Sequence, residues 1–332
     1  MPDETAQILA LGQTGDLAAR GFVAADLHVH SIYSEDVLSD RTRPDTLVER
    51  ARRQGLRFLS ITDHDTMDAY VNVLGFDHEM VVPGVEIRIR DPRVGHTVHA
   101  NVYTLDLEQF ADLEGIAGGS GDIERFTAYC RAHDLPCQFN HPFWSAAGEP
   151  PPDPRAVADL MALFPVAEFN SSRVAEKNFA AARLAARLGK GLLANSDTHH
   201  GNVGRARSWV HASDFREFFE RARRGEAVLE AVSLLPRDTV SLVRETLRAA
   251  FRFDRRILDE LGVRAPKGDF CGVPILDNLV RAIVHGHLDP FPRLKRALRC
   301  VLEGVSSLRV LQYLYFRGEL REARRIGDVV NL

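Results

Sequence analysis

The chain has 332 residues, 45% of them hydrophobic and 27% charged, enough for one large domain with an appendage. A formal net charge of −4 excludes whole-surface attraction to nucleic acid, though not a local basic groove. No apolar run approaches the roughly 20 residues that span a bilayer, and Cys130, Cys137, Cys271 and Cys300 include no C-x-x-C pair and form no disulfide framework.

Residues 1–20 read as an N-terminal extension. Their acidic start, Met1-Pro2-Asp3-Glu4, lacks a basic-then-apolar signal pattern, so a cytoplasmic protein with no membrane contact is expected. Only Lys177, Lys190, Lys267 and Lys295 are lysines among 42 basic residues, a bias read as genomic.

From residue 21 to about 212 one local grammar recurs: an apolar run of strand length, then polar residues, then a helix-like segment. The first run, Phe22 to Leu27, ends in His28 and His30. A helix follows, with Pro44 early in it, Leu47 and Val48 as anchors and Gly55 as its stop. The second run, Phe58 to Thr62, ends in Asp63-His64-Asp65, and the third, Val81 to Val85, leads into Glu86. The fourth, Thr97 to Tyr103, lies too close behind the third for a helix, so a hairpin is predicted. A loop at Gly118-Gly119-Ser120-Gly121 precedes a helix capped by Asp122.

The fifth run, Pro136 to Asn140, ends in His141-Pro142. A rigid segment, Pro150-Pro151-Pro152-Asp153-Pro154, leads to a short helix. The sixth run, Val166 to Phe169, ends in Asn170; a helix over 178–188 stops at Gly189. The seventh run, Gly191 to Asn195, ends in Ser196-Asp197-Thr198-His199-His200, and a last helix spans about 214–224. Seven strands, mostly separated by helices, predict an α/β barrel over 21–235 with its chemistry at the C-terminal strand ends. Beyond residue 236 the spacing of Leu242, Val243, Leu247 and Ala250, and of Leu294, Leu298, Val301 and Leu302, is helical. This 236–332 appendage holds 18 Arg or Lys against 12 Asp or Glu and reads as a helical cap or a homo-oligomer surface.

Residues i and i+2 of a strand point to one side, so His28 and His30 can share an ion. Imidazole and carboxylate suit transition-type divalent metals. One H-x-H is weak evidence; His285-Gly286-His287 in the tail has no comparable ligands around it. Accumulation makes the case, because Asp36, His64, Glu86, His99, His141, Asp197 and His199 all fall at or near predicted strand ends.

As an ordered set, Asp26-Leu27-His28-Val29-His30-Ser31 with Ser34, Thr62-Asp63-His64-Asp65-Thr66, Gly84-Val85-Glu86-Ile87, Asn140-His141-Pro142 and Ser196-Asp197-Thr198-His199 resembles the PHP (polymerase and histidinol phosphatase) family over residues 22 to 232. The resemblance implies a distorted seven-stranded (β/α) barrel holding two or three divalent ions, Mn, Fe or Zn. Carried over by motif, His28 and His30 bind one ion with Asp197, and Glu86 bridges to a second completed by His99 and His141. Asp36, His64 and His199 hold a third. His96 competes with His99, which is preferred because it lies inside the apolar run. Asp63 reads either as an orienting partner of a ligand imidazole or as a strand-end hydrogen-bonding group.

The implied chemistry is hydrolysis of phosphate esters by a metal-activated water, with His199 or Asp197 relaying protons and Arg205 stabilising charge. Arg173 and Arg205 are the candidate phosphate forks, and His200 the candidate proton donor or surface residue. The Thr62-to-Thr66 form looks like the stand-alone phosphoesterase branch, so a nucleotide or sugar phosphomonoester is the expected substrate. A DNA or RNA exonuclease or other phosphodiesterase is the alternative, favoured by the basic tail. An amidohydrolase with a carboxylated Lys is excluded, since no Lys precedes Lys177. A lysine-free amidohydrolase and a non-enzymatic metal-binding module are weaker readings.

Overall fold

In the computed structural model the described residues are 8–9, 15–119, 121–146, 148–263, 265–268, 270, 274–304 and 316–326. Ser120, Cys271 and most of the N-terminal extension lie outside them. Two five-stranded sheets form the framework. The first runs β1 (Ile8–Leu9), β10 (Val228–Glu230), β9 (Arg207–Val210), β2 (Val23–Val29), β3 (Leu56–Ile61) in spatial order. The second is β4 (Gly84–Arg90), β5 (Thr97–Tyr103), β6 (Cys137–Phe139), β7 (Val166–Asn170), β8 (Gly191–Asn195). β2 and β3 are parallel, as are β6, β7 and β8, while β4 and β5 form the predicted antiparallel hairpin.

The strand ladders do not close the distorted seven-stranded barrel expected from the sequence: no continuous sheet runs round among the described residues. Only isolated bridges seam the two sheets: Leu59 with Val81 and His64 with Glu86 on one side, Val29 with Thr198 on the other. Within the first sheet, the register of β2 against β3 shifts between Asp26 and Val29. Both sides of this strand are buried, so the segment turns Asp26 and His28 to one side and Ala25, Leu27 and Val29 to the other.

Helices cover the sheets. α1 (Pro44–Arg53) starts on Pro44 and buries Leu47, Val48 and Ala51. α2 (Leu107–Gly119) precedes α3 (Ile123–Ala132), whose Asp122 cap accepts from the Arg125 amide. α2 takes up Gly118 and Gly119, correcting the predicted glycine loop, and only Gly121 turns the chain. There φ is +63°, and a Cβ would meet the Arg90 carbonyl oxygen at 2.1 Å, so glycine is required. α4 (Pro154–Leu163) follows the proline segment, and α5 (Ala175–Arg187) and α6 (Phe215–Arg223) complete the layer. The third strand also differs from expectation: β4 begins at Gly84, beyond the 81–83 stretch, because the hairpin ladder with β5 begins there. β9 and β10 extend the first sheet past the seven runs seen in the sequence.

The C-terminal region is helical: α7 (Pro236–Arg252), α8 (Arg256–Leu261), α9 (Pro274–Val284), α10 (Pro292–Gly304) and helical residues 316–326. Val243, Leu247 and Ala250 of α7 pack with Leu276, Val280 and Ile283 of α9 in a second apolar cluster. Leu38, from the loop after β2, belongs to the same cluster, so the appendage is keyed into the strand-end loops. The Lys267 and Gly268 amides donate to the Glu35 carbonyl at 2.8 and 3.1 Å. A Cβ on Gly268 would lie 2.4 Å from the Asp36 Cβ, so the approach needs glycine. No helix among the described residues is long and apolar enough to cross a membrane.

Candidate metal centre

β2 delivers His28 and His30 to one side, with their Nε2 atoms 3.1 Å apart. The loop after β3 delivers His64, the first half of β4 delivers Glu86, and β5 delivers His99. His141 follows β6, while Asp197 and His199 follow β8. All of these, with Asp36, fall into four overlapping groups of potential ligand atoms, each within 4.8 Å of one another. One group is His30, Asp36, His64 and His199; another is His28, His30 and Glu86. The remaining two are His28, His141 and Asp197, and His64, Glu86 and His99. The nine residues singled out by pattern therefore meet at one place.

Glu86 is the hub. Its fully buried carboxylate lies 3.0 Å from His28 Nε2, 3.2 Å from His30 Nε2 and 3.2 Å from His64 Nδ1 through one oxygen. The other oxygen lies 3.0 Å from His99 Nδ1 and 3.3 Å from His141 Nε2. Burial alone would raise its pKa, but the imidazoles of His28, His64 and His99 hold it well below the carboxylate range. Asp197 is likewise held well below its usual value against burial, by His28, His30 and Arg173. Burial pushes the His99 pKa down to about 4, whereas His30, against burial, is pushed up to about 10 by Asp197 and Glu86.

The donor chemistry fits divalent cations. Against burial, Glu86, Glu168 and Asp197 raise the His28 pKa well above its ordinary value in the absence of an ion; with one bound, Nδ1, 2.8 Å from Glu168 Oε1, would keep its proton and leave Nε2 a lone pair. That lone pair faces Glu86 Oε2 at 3.0 Å, Asp197 Oδ1 at 3.5 Å and His30 Nε2 at 3.1 Å. Acceptors converging in a buried site need a cation between them, either protons or metal. Strain is stored here as well: Asp197 and His141 adopt φ of +48° and +24°, which non-glycine residues seldom do. The Asp197 amide donates to the His28 carbonyl at 2.8 Å and the His141 amide to Glu168 Oε2 at 2.9 Å, fixing both turns.

Sequence reasoning missed Glu168. It is completely buried, binds His28 and the His141 amide, and accepts from Asn170 and Asn195 at 2.9 and 3.1 Å. The two-residue period pairing Glu168 with Asn170 inside an apolar run was its available signal. A carboxylate behind a ligand imidazole sets the tautomer and orientation of that ring. Asp63 does not orient an imidazole; it accepts from the Ser31 amide and hydroxyl, both at 2.6 Å. Burial pushes its pKa up to about 6. His96 turns to the Val94 carbonyl at 3.2 Å and stands outside the four groups, while His99 stands within them.

A cavity of about 550 Å³ opens over the centre. Its floor includes His64, Glu86, His99, His141, Asp197 and His199; its roof comes from the C-terminal region through Leu242, Val243, Phe270, Glu319 and Glu322. Three arginines reach it. Arg88 is held by Asp65 and Glu35, and Arg205 by Asp238 of α7 at 2.9 Å. Arg173 touches Asp197 Oδ2 at 3.3 Å. His200 also lines the cavity, with Nε2 3.5 Å from the Thr246 hydroxyl and a pKa pushed down to about 4 by burial and by His199.

Comparison with known proteins places this geometry in context. No family model matches the chain. Error-prone DNA polymerases from Mycobacterium bovis and Mycobacterium tuberculosis are 29% identical to it across 55% of this chain and 19% of theirs. The chain thus spans about a fifth of the length of these curated relatives. Among solved structures, PsfC from Pseudomonas syringae aligns at 18% identity and a TM-score of 0.48, covering 72% of this chain and 99% of that one. The lesion-specific endonuclease PfuEndoQ from Pyrococcus furiosus aligns at 15% identity and 0.45, covering 81% and 91%.

Proposed function

We propose that this chain, of PHP type by its ordered motifs, is a metal-dependent phosphoesterase acting on small phosphomonoesters, with its two seamed sheets serving as a distorted seven-stranded barrel. The observation that carries the reading is the convergence of nine imidazole and carboxylate side chains, Glu86 among them, on one cavity. In this reading His28, His30 and Asp197 hold one ion, Glu86, His99 and His141 a second, and Asp36, His64 and His199 a third. Mn, Fe and Zn all suit such a set. Bound there, divalent ions supply an activated water and neutralise charge on the phosphoryl oxygens.

The chain's own groups do the rest. Glu168 holds His28 in one tautomer. Arg173, beside Asp197, binds non-bridging oxygens of the substrate, and Arg205 adds charge from the cavity wall. With the third site empty, His199, 26% exposed and 2.8 Å from Asp36, would carry the proton lost by the attacking water to the leaving oxygen, with Asp197 beside it. His200 is the second wall imidazole, and its depressed pKa makes it a hydrogen-bonding group at neutral pH.

The roof favours a small substrate. A nucleic acid strand needs an open basic groove, whereas this cavity is lined on one side by Leu242 and Val243 of α7 and by the carboxylates Glu319 and Glu322, which would repel a phosphate backbone. A nuclease is the second reading, favoured by the polymerase relatives. The deciding assay presents metal-loaded protein with a library of nucleotides and sugar phosphates and, separately, with end-labelled oligonucleotides. Turnover of monoesters is expected; turnover of oligonucleotides alone would reverse the choice.

A further inference from the structure

Trp144 lies in the loop after His141, at the edge of the cavity. Its ring stands edge-on to His99 and His141, with centroids 5.1 and 5.0 Å away. The Arg173 guanidinium carbon sits over its face, 4.8 Å from the centroid. The three cavity arginines differ in how fully their donors are used. Arg88 donates to two carboxylates, with Nε 2.6 Å from Asp65 and Nη1 on Glu35. Arg205 has a 2.9 Å bond to Asp238. Arg173 has longer contacts: 3.3 Å to Asp197 and 3.4 Å to the Ser172 carbonyl, while its buried Nε has no hydrogen-bond partner.

An arginine tied to carboxylates at close range is already neutralised and pre-committed. One held on an aromatic face keeps its planar fork available to an anion, because the ring quadrupole attracts the cation without using its N–H donors. We propose that Trp144 is a positioning residue for the substrate phosphate: it holds the Arg173 fork toward the metal centre while Nε, which has no partner, and the loosely held Nη1 and Nη2 stay available to an anion. The proposal rests on Arg173 being the phosphate contact. It adds that the affinity of that contact is set by an aromatic side chain which touches no phosphate itself.

The test is a double-mutant cycle read by inorganic phosphate binding to the metal-loaded full chain, with metal content measured on every variant. Trp144→Leu should weaken phosphate about 5- to 30-fold, and Trp144→Phe, with the weaker ring, by less. In an Arg173→Ala background the Trp144 substitutions should change phosphate affinity less than twofold, because the group they act through is gone. If instead the Trp144 effect persists undiminished in that background, the ring acts through His99 and His141 and the proposal falls. Should Trp144→Leu fail to fold, the Phe variant carries the same cycle. Arg173→Ala alone separates the premises: unchanged phosphate affinity there sinks the reading of Arg173, while a large loss with no Trp144 effect sinks only the role of Trp144. A spectroscopic arm uses the fact that the chain has two tryptophans. With Trp209, which is bonded to Glu230, replaced by Phe, phosphate should change the remaining emission; an unchanged spectrum at saturation counts against the proposal.

Discussion

The floor and the roof of the cavity are built on opposite physical principles. The floor is a buried polar assembly in which Glu86 alone meets five imidazoles. The roof is an ordinary apolar contact between α7 and α9, pinned to the floor by Leu38 and by the Glu35 carbonyl. Buried charges cost several kcal/mol each unless matched, so the floor is stable only with cations among its acceptors. The roof gains from area removed from water and needs no ion. Substitutions should therefore divide cleanly: floor variants lose metal and chemistry, and roof variants lose stability and selectivity.

The most severe break is His28→Ala combined with His30→Ala. Hydrolysis should drop to the background rate and metal content should fall, while circular dichroism stays native because the apolar core is untouched. Full activity in metal-analysed protein would refute the assignment.

Metal removal sharpens the contrast through pH. In the metal-free protein His30 is pushed up to about 10 from an ordinary 6.5, so its protonation stabilises the fold below 6.5 and that stabilisation is lost as pH rises toward 10. Glu86 and Asp197 are depressed, so their contribution is present above the unfolded values of 4.5 and 3.8 and is lost as pH falls through their lower folded values. Above about pH 6.5, where Asp63, His99 and His200 no longer titrate, the metal-free Tm should thus decline. Metal-loaded protein should show the reverse slope above pH 6.5, since ions displace the same protons. Thermal melts at pH 6 and 9, with and without chelator, check this; parallel slopes would count against a cation-filled floor.

Glu168→Gln removes the charge behind His28 but keeps the shape. The expected effect is a 10- to 100-fold loss of metal affinity, with a far smaller change in metal-free stability. Competition with a chelating dye measures it, and wild-type affinity would relegate Glu168 to a structural bond.

The legibility of the two regions in the sequence follows the same division. Most ligands of the floor were readable because they fall at or near the ends of apolar runs, and chemistry there is local in sequence: His28 and Glu86 lie within β2 and β4, and His30, His64, His141, Asp197 and His199 follow their strands. Glu168 was hidden because it sits inside its run, where a buried carboxylate looks like an interruption of β7. The division into two sheets was hidden as well, since which strands pair is a property absent from periodicity. For the roof, the helical spacing of Leu242, Val243, Leu247 and Ala250 gave the elements but not their destination. The contacts that set it, Gly268 against Asp36 and Lys177 with Glu319 and Glu322, join residues more than a hundred positions apart.

In the roof, Leu247→Ala should cost about 2–5 kcal/mol, because the side chain is 1% exposed in the second cluster. Denaturant melts should report this with metal stoichiometry unchanged; loss of metal instead would mean that roof and floor do not separate.

The mildest change is Lys177→Met. Lys177 is 4% exposed and its ammonium lies 2.9 and 3.0 Å from Glu319 and Glu322. Methionine keeps the apolar stem but leaves the two carboxylates facing each other without a counter-ion, so helical residues 316–326 should lift from α5. Once that helix lifts both carboxylates reach solvent, so the global stability cost should stay below the about 3–5 kcal/mol of an ion pair broken within a core. Metal content and turnover of the smallest monoesters should change less than threefold. Larger esters should gain relative to small ones, because the roof then excludes them less strictly. Comparing kcat/KM for a mononucleotide and a dinucleotide in both proteins measures this ratio. A ratio that does not move would show that the roof, unlike the floor, has no part in choosing the substrate.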